Sequence, residues 1–130
     1  MTAERVTIED VLALQTWAVV GLSGNTGRAA YGVAKFLQDK GKQIIPVHPS
    51  AVMVHGEPGY GSVRDIPGPI DVVDCFVRSE LVGPVVDDAI AIGAKAVWLQ
   101  LGVVDPTAAA RAEAAGLLVV MNRCPKIEWR

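Results

Sequence analysis

The amino-acid sequence predicts an α/β fold: a single doubly wound parallel sheet with helices on both of its faces. Five short apolar runs alternate with segments of helical periodicity, which is typical of successive βαβ units. Each apolar run has the length of a strand that is buried on both faces. A glycine-rich turn joins the first run to the helical segment that follows it.

The expected elements can be placed in order along the chain. A first helix is predicted over residues 7–15, with Thr7 as its N-cap. Strands are expected at residues 17–22, 43–47, 71–77, 94–102 and 117–122. Helices are expected at residues 28–40, 80–93 and 105–116, the last with Asp105 as N-cap and Pro106 as its first residue. Residues 51–69, rich in glycine and proline, predict one short turn or strand near 62–66, and residues 123–130 predict a tail.

Right-handed crossovers between these strands predict the Rossmann-like order 3-2-1-4-5. The chain contains no internal repeat, low-complexity tract or linker, so residues 1–130 are expected to form one domain.

Composition restricts the classes of partner. The formal net charge of −2 gives no basic field for nucleic acid. The start lacks the pattern of a secretion signal, and no apolar run approaches membrane-spanning length, so a cytoplasmic protein is expected. Cys75 and Cys124 have no metal-type spacing and are interpreted as reduced thiols, and no metal site is predicted.

The loop GLSGNTGR, residues 21–28, is the first candidate binding element. Glycines let backbone N–H groups approach an anion, and the N-terminus of the next helix adds partial positive charge. Ser23 and Asn25 can donate further hydrogen bonds, and Arg28 can form a charge-assisted pair. A tight turn without a ligand would use the same glycines, so the loop alone leaves both interpretations open.

Other phosphate-binding patterns fit this loop poorly. The usual NAD loop is G-x-G-x-x-G with an acidic residue at the end of strand two, whereas strand two here ends in His48-Pro49. An ATP-binding loop requires Lys and then Ser or Thr after its last glycine, but Arg28 and Ala29 follow Gly27.

Gln100 lies between leucines in an otherwise apolar strand and requires hydrogen-bond partners, of which a ligand is one source.

Several stretches between Trp17 and Glu128 together resemble the CoA-binding domain family. The most specific are GLSGNTGR, WLQLGV and NRCPKIE. The family comprises small stand-alone bacterial proteins similar to the amino-terminal domain of the succinyl-CoA synthetase α subunit. The resemblance implies a Rossmann-like fold that binds coenzyme A or an acyl-CoA.

The resemblance also implies a role for individual positions. In the family, the loop after strand one binds the CoA pyrophosphate, which here corresponds to Gly21, Ser23, Gly24, Asn25 and Arg28. The ends of strands two and three flank the adenosine, which corresponds to Val47, His48, Pro49, Phe76, Val77 and Arg78. Gln100 would lie toward the pantetheine arm.

Two departures from the synthetase pattern affect the expected function. The synthetase has a lysine just after the strand-two proline, where this chain has Ser50-Ala51, so a phosphate contact is expected to move to Arg28 or Arg78. The catalytic histidine of the synthetase lies in a second domain, for which this chain has no room. Binding without catalysis is therefore expected, either alone or as a homo-oligomer or with a protein partner.

Alternatives remain open from the sequence. An enzyme or redox sensor could use NAD or NADP in the same crevice, with Arg28 or Arg78 accepting a 2′-phosphate. A third alternative is a pure interaction protein whose ligand site is vestigial. Cys124 follows strand five and has two possible roles: its thiol could form a mixed disulfide with CoA, or it could be a small buried packing residue. The packing role is preferred. His55 is expected to be solvated, and Cys75 and Trp98 are expected in the core.

Overall fold

A computed structural model describes residues 2–130 and shows a parallel five-stranded sheet between two layers of helices. The strands are β1 Thr16–Val20, β2 Gln43–Val47, β3 Val72–Cys75, β4 Ala96–Leu99 and β5 Leu118–Met121. The helices are α1 Ala3–Leu12, α2 Ala29–Asp39, α3 Ser79–Ala91, α4 Pro106–Ala114 and α5 Pro125–Glu128, with a 3₁₀ turn at Val63–Asp65. All strand pairs are parallel, so the predicted fold class is confirmed.

The strand order is β2-β1-β3-β4-β5, and the predicted order 3-2-1-4-5 is wrong. The predicted order would leave β3 at an edge of the sheet. All four residues of β3 are buried instead, and β3 pairs with β1 on one side and β4 on the other. β2 takes the edge, where Pro46 costs little because its missing N–H is not needed by a neighbouring strand.

The two faces of the sheet carry separate apolar cores. One core joins Ala18, Val73 and Val97 to α3 and α4. The other joins Val19, Val72 and Trp98 to α1 and α2. Side chains alternate between the faces along each strand, so every central strand is covered on both sides.

The ends of the chain differ from the expectation. α1 begins at Ala3 because the Thr2 hydroxyl accepts a hydrogen bond from the Arg5 N–H, whereas the Thr7 hydroxyl donates to the Ala3 carbonyl within the helix. The predicted tail contains α5, after which Trp129 packs edge-on against Phe36. The predicted cap of α4 is confirmed, with Asp105 accepting from the Ala108 N–H.

The segment between β2 and the 3₁₀ turn is fastened to α2. The His55 ring lies 4.3 Å from the Tyr31 ring, and its Nε2 is 2.8 Å from the Tyr31 carbonyl oxygen. Gln38 donates to the His55 carbonyl, and Val54 is buried beside them. His55 is therefore a packed residue, and the expectation that it is solvated is wrong.

Across residues 2–130, no helix combines the length and the apolarity that crossing a membrane requires.

Candidate functional site

A cleft of about 1010 Å³ runs along the carboxyl ends of β2, β1, β3 and β4. The chain moves from β1 outward to β2, then crosses back over β1 to β3 and continues to β4 and β5, so the sheet has its switch point between β1 and β3. The cleft lies across that point. It brings together the predicted site residues Gly21, Ser23, Asn25, Arg28, Val47, His48, Pro49, Phe76, Val77, Arg78 and Gln100.

Gly24 is the one predicted residue that does not line the cleft. Its neighbours Ser23 and Asn25 do, and a Cβ built at Gly24 would meet no atom within 4 Å. Gly24 therefore lies in an open part of the loop, and its contact with a ligand stays a prediction.

Gly21 brings the loops after β1 and β3 into contact. Its φ is +99°, and a Cβ at this position would lie 2.3 Å from the Phe76 carbonyl oxygen. The Gly21 N–H donates to the Val47 carbonyl, which also ties the loop to the end of β2. Only glycine both adopts this φ readily and leaves room for the Phe76 carbonyl oxygen, so Gly21 sets how closely the three strand ends approach.

Hydrogen bonds between backbone N–H groups and side chains of the same loop stabilise the conformation of residues 21–28. The Asn25 N–H donates to Ser23 Oγ at 3.2 Å, and the Gly27 N–H donates to Asn25 Oδ1 at 3.0 Å. The Arg28 N–H donates to the Asn25 carbonyl. These bonds shape the turn and leave the N-terminus of α2 facing the cleft, where Ala29 and Ala30 are also lining residues.

Two helices begin at the cleft with an arginine at the N-cap. Arg28 precedes α2 and Arg78 precedes α3, and neither helix has a side-chain cap, whereas α4 is capped by Asp105. A cation at a helix N-terminus opposes the helix dipole, which favours negative charge there. Arg28 forms no ion pair within residues 2–130, and Arg78 pairs only with exposed Glu80 at 3.4 Å. An anion in the cleft would complement Arg28 and the N-terminus of α2, whereas Glu80 already complements Arg78 and the N-terminus of α3.

The end of β2 presents an imidazole and a proline. His48 Nδ1 accepts a hydrogen bond from the Ser50 N–H at 3.0 Å and lies 2.8 Å from Ser50 Oγ. A nitrogen that accepts an N–H bond carries no proton, so the neutral ring has its proton on Nε2. Nε2 is then a donor on a ring that Ser50 holds in place beside Pro49.

Gln100 ends β4 and is only 5% exposed. Its Oε1 is buried and has no hydrogen-bond partner within residues 2–130. The need for a partner was expected from the sequence, and residues 2–130 do not supply one for Oε1. A buried amide oxygen without a partner is costly, so a ligand N–H at this position would be stabilising.

Asp74 is a fully buried polar residue that the sequence analysis did not single out. Its position in the middle of an apolar strand run could have predicted its burial, because residues in the middle of a central strand are buried. Both carboxyl oxygens lack a partner within the described residues, and burial raises the pKa of Asp74 well above its ordinary value. Asp74 lies on the sheet face that carries Val72 and does not line the cleft, and its burial favours the protonated form.

The two thiols do not meet the cleft. Cys75 is fully buried. Burial, and to a smaller extent the neighbouring Asp74, raises the pKa of its thiol. Cys124 is half-buried against the core beneath α1 and α2 and does not line the cleft. Cys75 and Trp98 lie in the core as predicted.

Both a family model and a sequence relative match most of this chain. A family model described as a CoA binding domain matches residues 15–130. The Bacillus subtilis (strain 168) protein YneT is 37% identical over 110 residues, which is 85% of this chain and 82% of that protein.

Solved structures of two proteins of similar size and of one much longer protein share the fold. A hypothetical protein from Pyrococcus horikoshii OT3 is 38% identical with a TM-score of 0.90, covering 98% of this chain and 89% of its own. A Thermus thermophilus protein is 27% identical with a TM-score of 0.89, covering 98% and 96%. A dinucleotide-forming acetyl-coenzyme A synthetase of Ca. Korarchaeum cryptofilum is 24% identical with a TM-score of 0.76, covering 88% of this chain and 28% of its own, and shows the fold alone.

Proposed function

Since this chain belongs to the CoA-binding domain family, we propose that its cleft binds coenzyme A or an acyl-CoA without catalysing a reaction. Residues 1–130 would form one binding domain. The proposed contacts are Gly21, Ser23, Gly24, Asn25, Arg28, Val47, His48, Pro49, Phe76, Val77, Arg78 and Gln100.

The uncapped N-terminus of α2 supports this proposal most strongly. α2 begins at the cleft with Arg28 at its N-cap, has no acidic residue in its first turn, and Arg28 has no ion-pair partner within residues 2–130, whereas Glu80 in the first turn of α3 already pairs with Arg78. The charge at the start of α2 is therefore uncompensated until an anion is bound. Coenzyme A carries a diphosphate and a separate 3′-phosphate, so it offers negative charge at two places along its length.

The proposed contacts follow the ligand across the sheet, from the end of β2 past the loop after β1 to the end of β4. The sequence placed the end of β3 beside the adenosine together with the end of β2, whereas β1 lies between these two strands. His48 and Pro49 at the end of β2 would flank the adenine. The loop at 21–28 and the N-terminus of α2 would hold the diphosphate, with Arg28 as its cation. Gln100 at the end of β4 would accept an N–H from an amide of the pantetheine arm.

The two cysteines and Asp74 are poorly placed for covalent chemistry with a ligand. Cys75 and Asp74 are buried in the core, and burial raises the pKa of both. Cys124 lies outside the cleft. We therefore expect binding alone, in the cytoplasm, with a small molecule as partner.

NAD or NADP in the same cleft is the alternative. No carboxylate ends β2 to hold ribose hydroxyls, because His48 and Pro49 occupy that position. Nothing in the cleft favours a nicotinamide cofactor over coenzyme A.

Isothermal titration of the purified protein with CoA, acetyl-CoA, NAD and NADP tests the proposal. We expect binding of the CoA compounds and no signal from NAD or NADP. Arg28→Ala should weaken CoA binding about 10- to 100-fold, because a charge-assisted contact with phosphate is lost.

Lys35→Ala is the matched control, since it removes one positive charge from α2 at an exposed position outside the cleft. Its CoA affinity should equal that of the wild type. A clear NADP signal with none from CoA would refute the proposal.

A further inference from the structure

Exposed apolar side chains gather at the β4 end of the cleft. Leu81 in the first turn of α3 is 51% exposed, and Leu101 in the turn after β4 is 61% exposed. Both line the cleft, as do Val85, which packs against the core, and Val103, which is buried in it. The other large apolar residues that are exposed lie outside the cleft: Val6, Val52, Met53, Val104, Leu118 and Ile127.

Gln100 lies at the inner edge of this apolar surface. Its buried Oε1 has no partner within residues 2–130, although the adjoining backbone is satisfied by a bond from the Val103 N–H to the Gln100 carbonyl. The end of the cleft thus offers one hydrogen-bond acceptor followed outward by hydrocarbon. A ligand that fits it has an N–H group followed by an apolar chain.

The charge at this end is balanced. Arg78 and Glu80, which precede Leu81, pair with each other at 3.4 Å and both are exposed. A carboxylate at the end of a ligand would therefore gain little here. An apolar chain would cover Leu81 and Leu101 and remove their surface from water.

We propose that the β4 end of the cleft holds the acyl group of a CoA thioester, with a preference for apolar chains over charged ones. This inference rests on the proposed function, because the diphosphate at α2 sets the direction of the ligand. The last amide of the pantetheine arm donates to Gln100 Oε1, and the acyl chain lies over Leu81 and Leu101.

Titration with CoA, acetyl-CoA, butanoyl-CoA, hexanoyl-CoA, octanoyl-CoA and succinyl-CoA tests the preference. Affinity should rise about two- to fourfold for each added methylene until the surface is covered, because a fully buried methylene contributes about fourfold. Succinyl-CoA should bind more weakly than butanoyl-CoA, which has the same number of acyl carbons.

Leu101→Ser identifies the surface involved. In this variant, the ratio of octanoyl-CoA affinity to CoA affinity should fall most of the way to one. Leu118→Ser is the matched control, since Leu118 is an exposed leucine on β5 outside the cleft, and it should keep the wild-type ratio.

The outcomes separate the two proposals. Equal affinity for CoA and all thioesters, or an unchanged ratio in Leu101→Ser, would refute the acyl preference while CoA binding upholds the proposed function. Tighter binding of succinyl-CoA than butanoyl-CoA would refute it as well. If neither CoA nor any thioester binds, both proposals fail.

Discussion

Asp74 shows what complete burial does to a single ionisable side chain. It pairs in register with Val19 and Trp98 in the middle of the sheet, and no residue in the described chain gives its carboxyl group a hydrogen bond. Desolvation disfavours the charged form, so the pKa of Asp74 is raised. In the unfolded chain the same group ionises near its ordinary pKa of 3.8.

Asp74 therefore makes stability depend on pH in a defined direction. Its stabilising contribution is complete below the unfolded pKa and is lost as pH rises toward the folded pKa, because only the unfolded state releases the proton. Asp74→Asn removes that difference. We expect the free energy of unfolding of Asp74→Asn, relative to the wild type, to increase by up to about 1.4 kcal/mol per pH unit as the pH rises above 3.8, for as long as the folded carboxyl group keeps its proton.

Urea unfolding at several pH values measures this slope. A difference between the two proteins that does not change with pH would mean that Asp74 is already ionised in the folded state.

Among the elements, α5 and the residue after it bind the end of the chain to the body of the protein. Trp129 packs against Phe36 of α2 at a ring-centroid distance of 5.7 Å. The ammonium groups of Lys40 and Lys42 lie within 5.6 and 5.7 Å of the Trp129 ring. Arg5 of α1 also pairs with Glu128 at 3.1 Å. These contacts make the last turn a structural part of the layer formed by α1 and α2.

Trp129→Ala should lower the free energy of unfolding by about 2 kcal/mol, because a half-buried aromatic ring and its partners are lost. Ile127→Ala is the control, since Ile127 is exposed in the same turn and should change stability by less than about 0.5 kcal/mol. Denaturant unfolding of both variants measures the difference. Equal losses would show that the turn contributes through its backbone and not through the ring.

At the scale of the whole molecule, the cleft depends on four strand ends that come from distant parts of the chain. A ligand bound there contacts the loops after β1, β2, β3 and β4 together, so its binding energy is added to the stability of the entire sheet. CoA at 100 times its dissociation constant should stabilise the protein by about 2.7 kcal/mol.

For a domain of this size, that stabilisation corresponds to a rise in Tm of about 10 °C. Differential scanning calorimetry with CoA, and with NADP as the comparison, measures it. A larger rise with NADP would favour the alternative cofactor, and no rise with either would contradict a CoA site.

Local chemistry explains which parts of the fold were predictable. The strands, α2 to α4 and the cap at Asp105 follow from apolar periodicity and from capping residues that act within one turn. The predicted site residues came together for the same reason: residues that end parallel strands share one edge of the sheet. Pro46 carried a signal for the strand order that the prediction did not use, since proline in a strand favours an edge position.

By itself, the sequence determined the five strands and the helices between them, the glycine turn and the polar residues that end the strands. Only the tertiary structure decided that β3 lies between β1 and β4, that Asp74 has no partner within residues 2–130, and that Leu81, Gln100 and Leu101 line one cleft. Periodicity and capping depend on residues a few positions apart. Strand neighbours, burial and the joining of two loops into one surface depend on contacts between residues far apart in the chain.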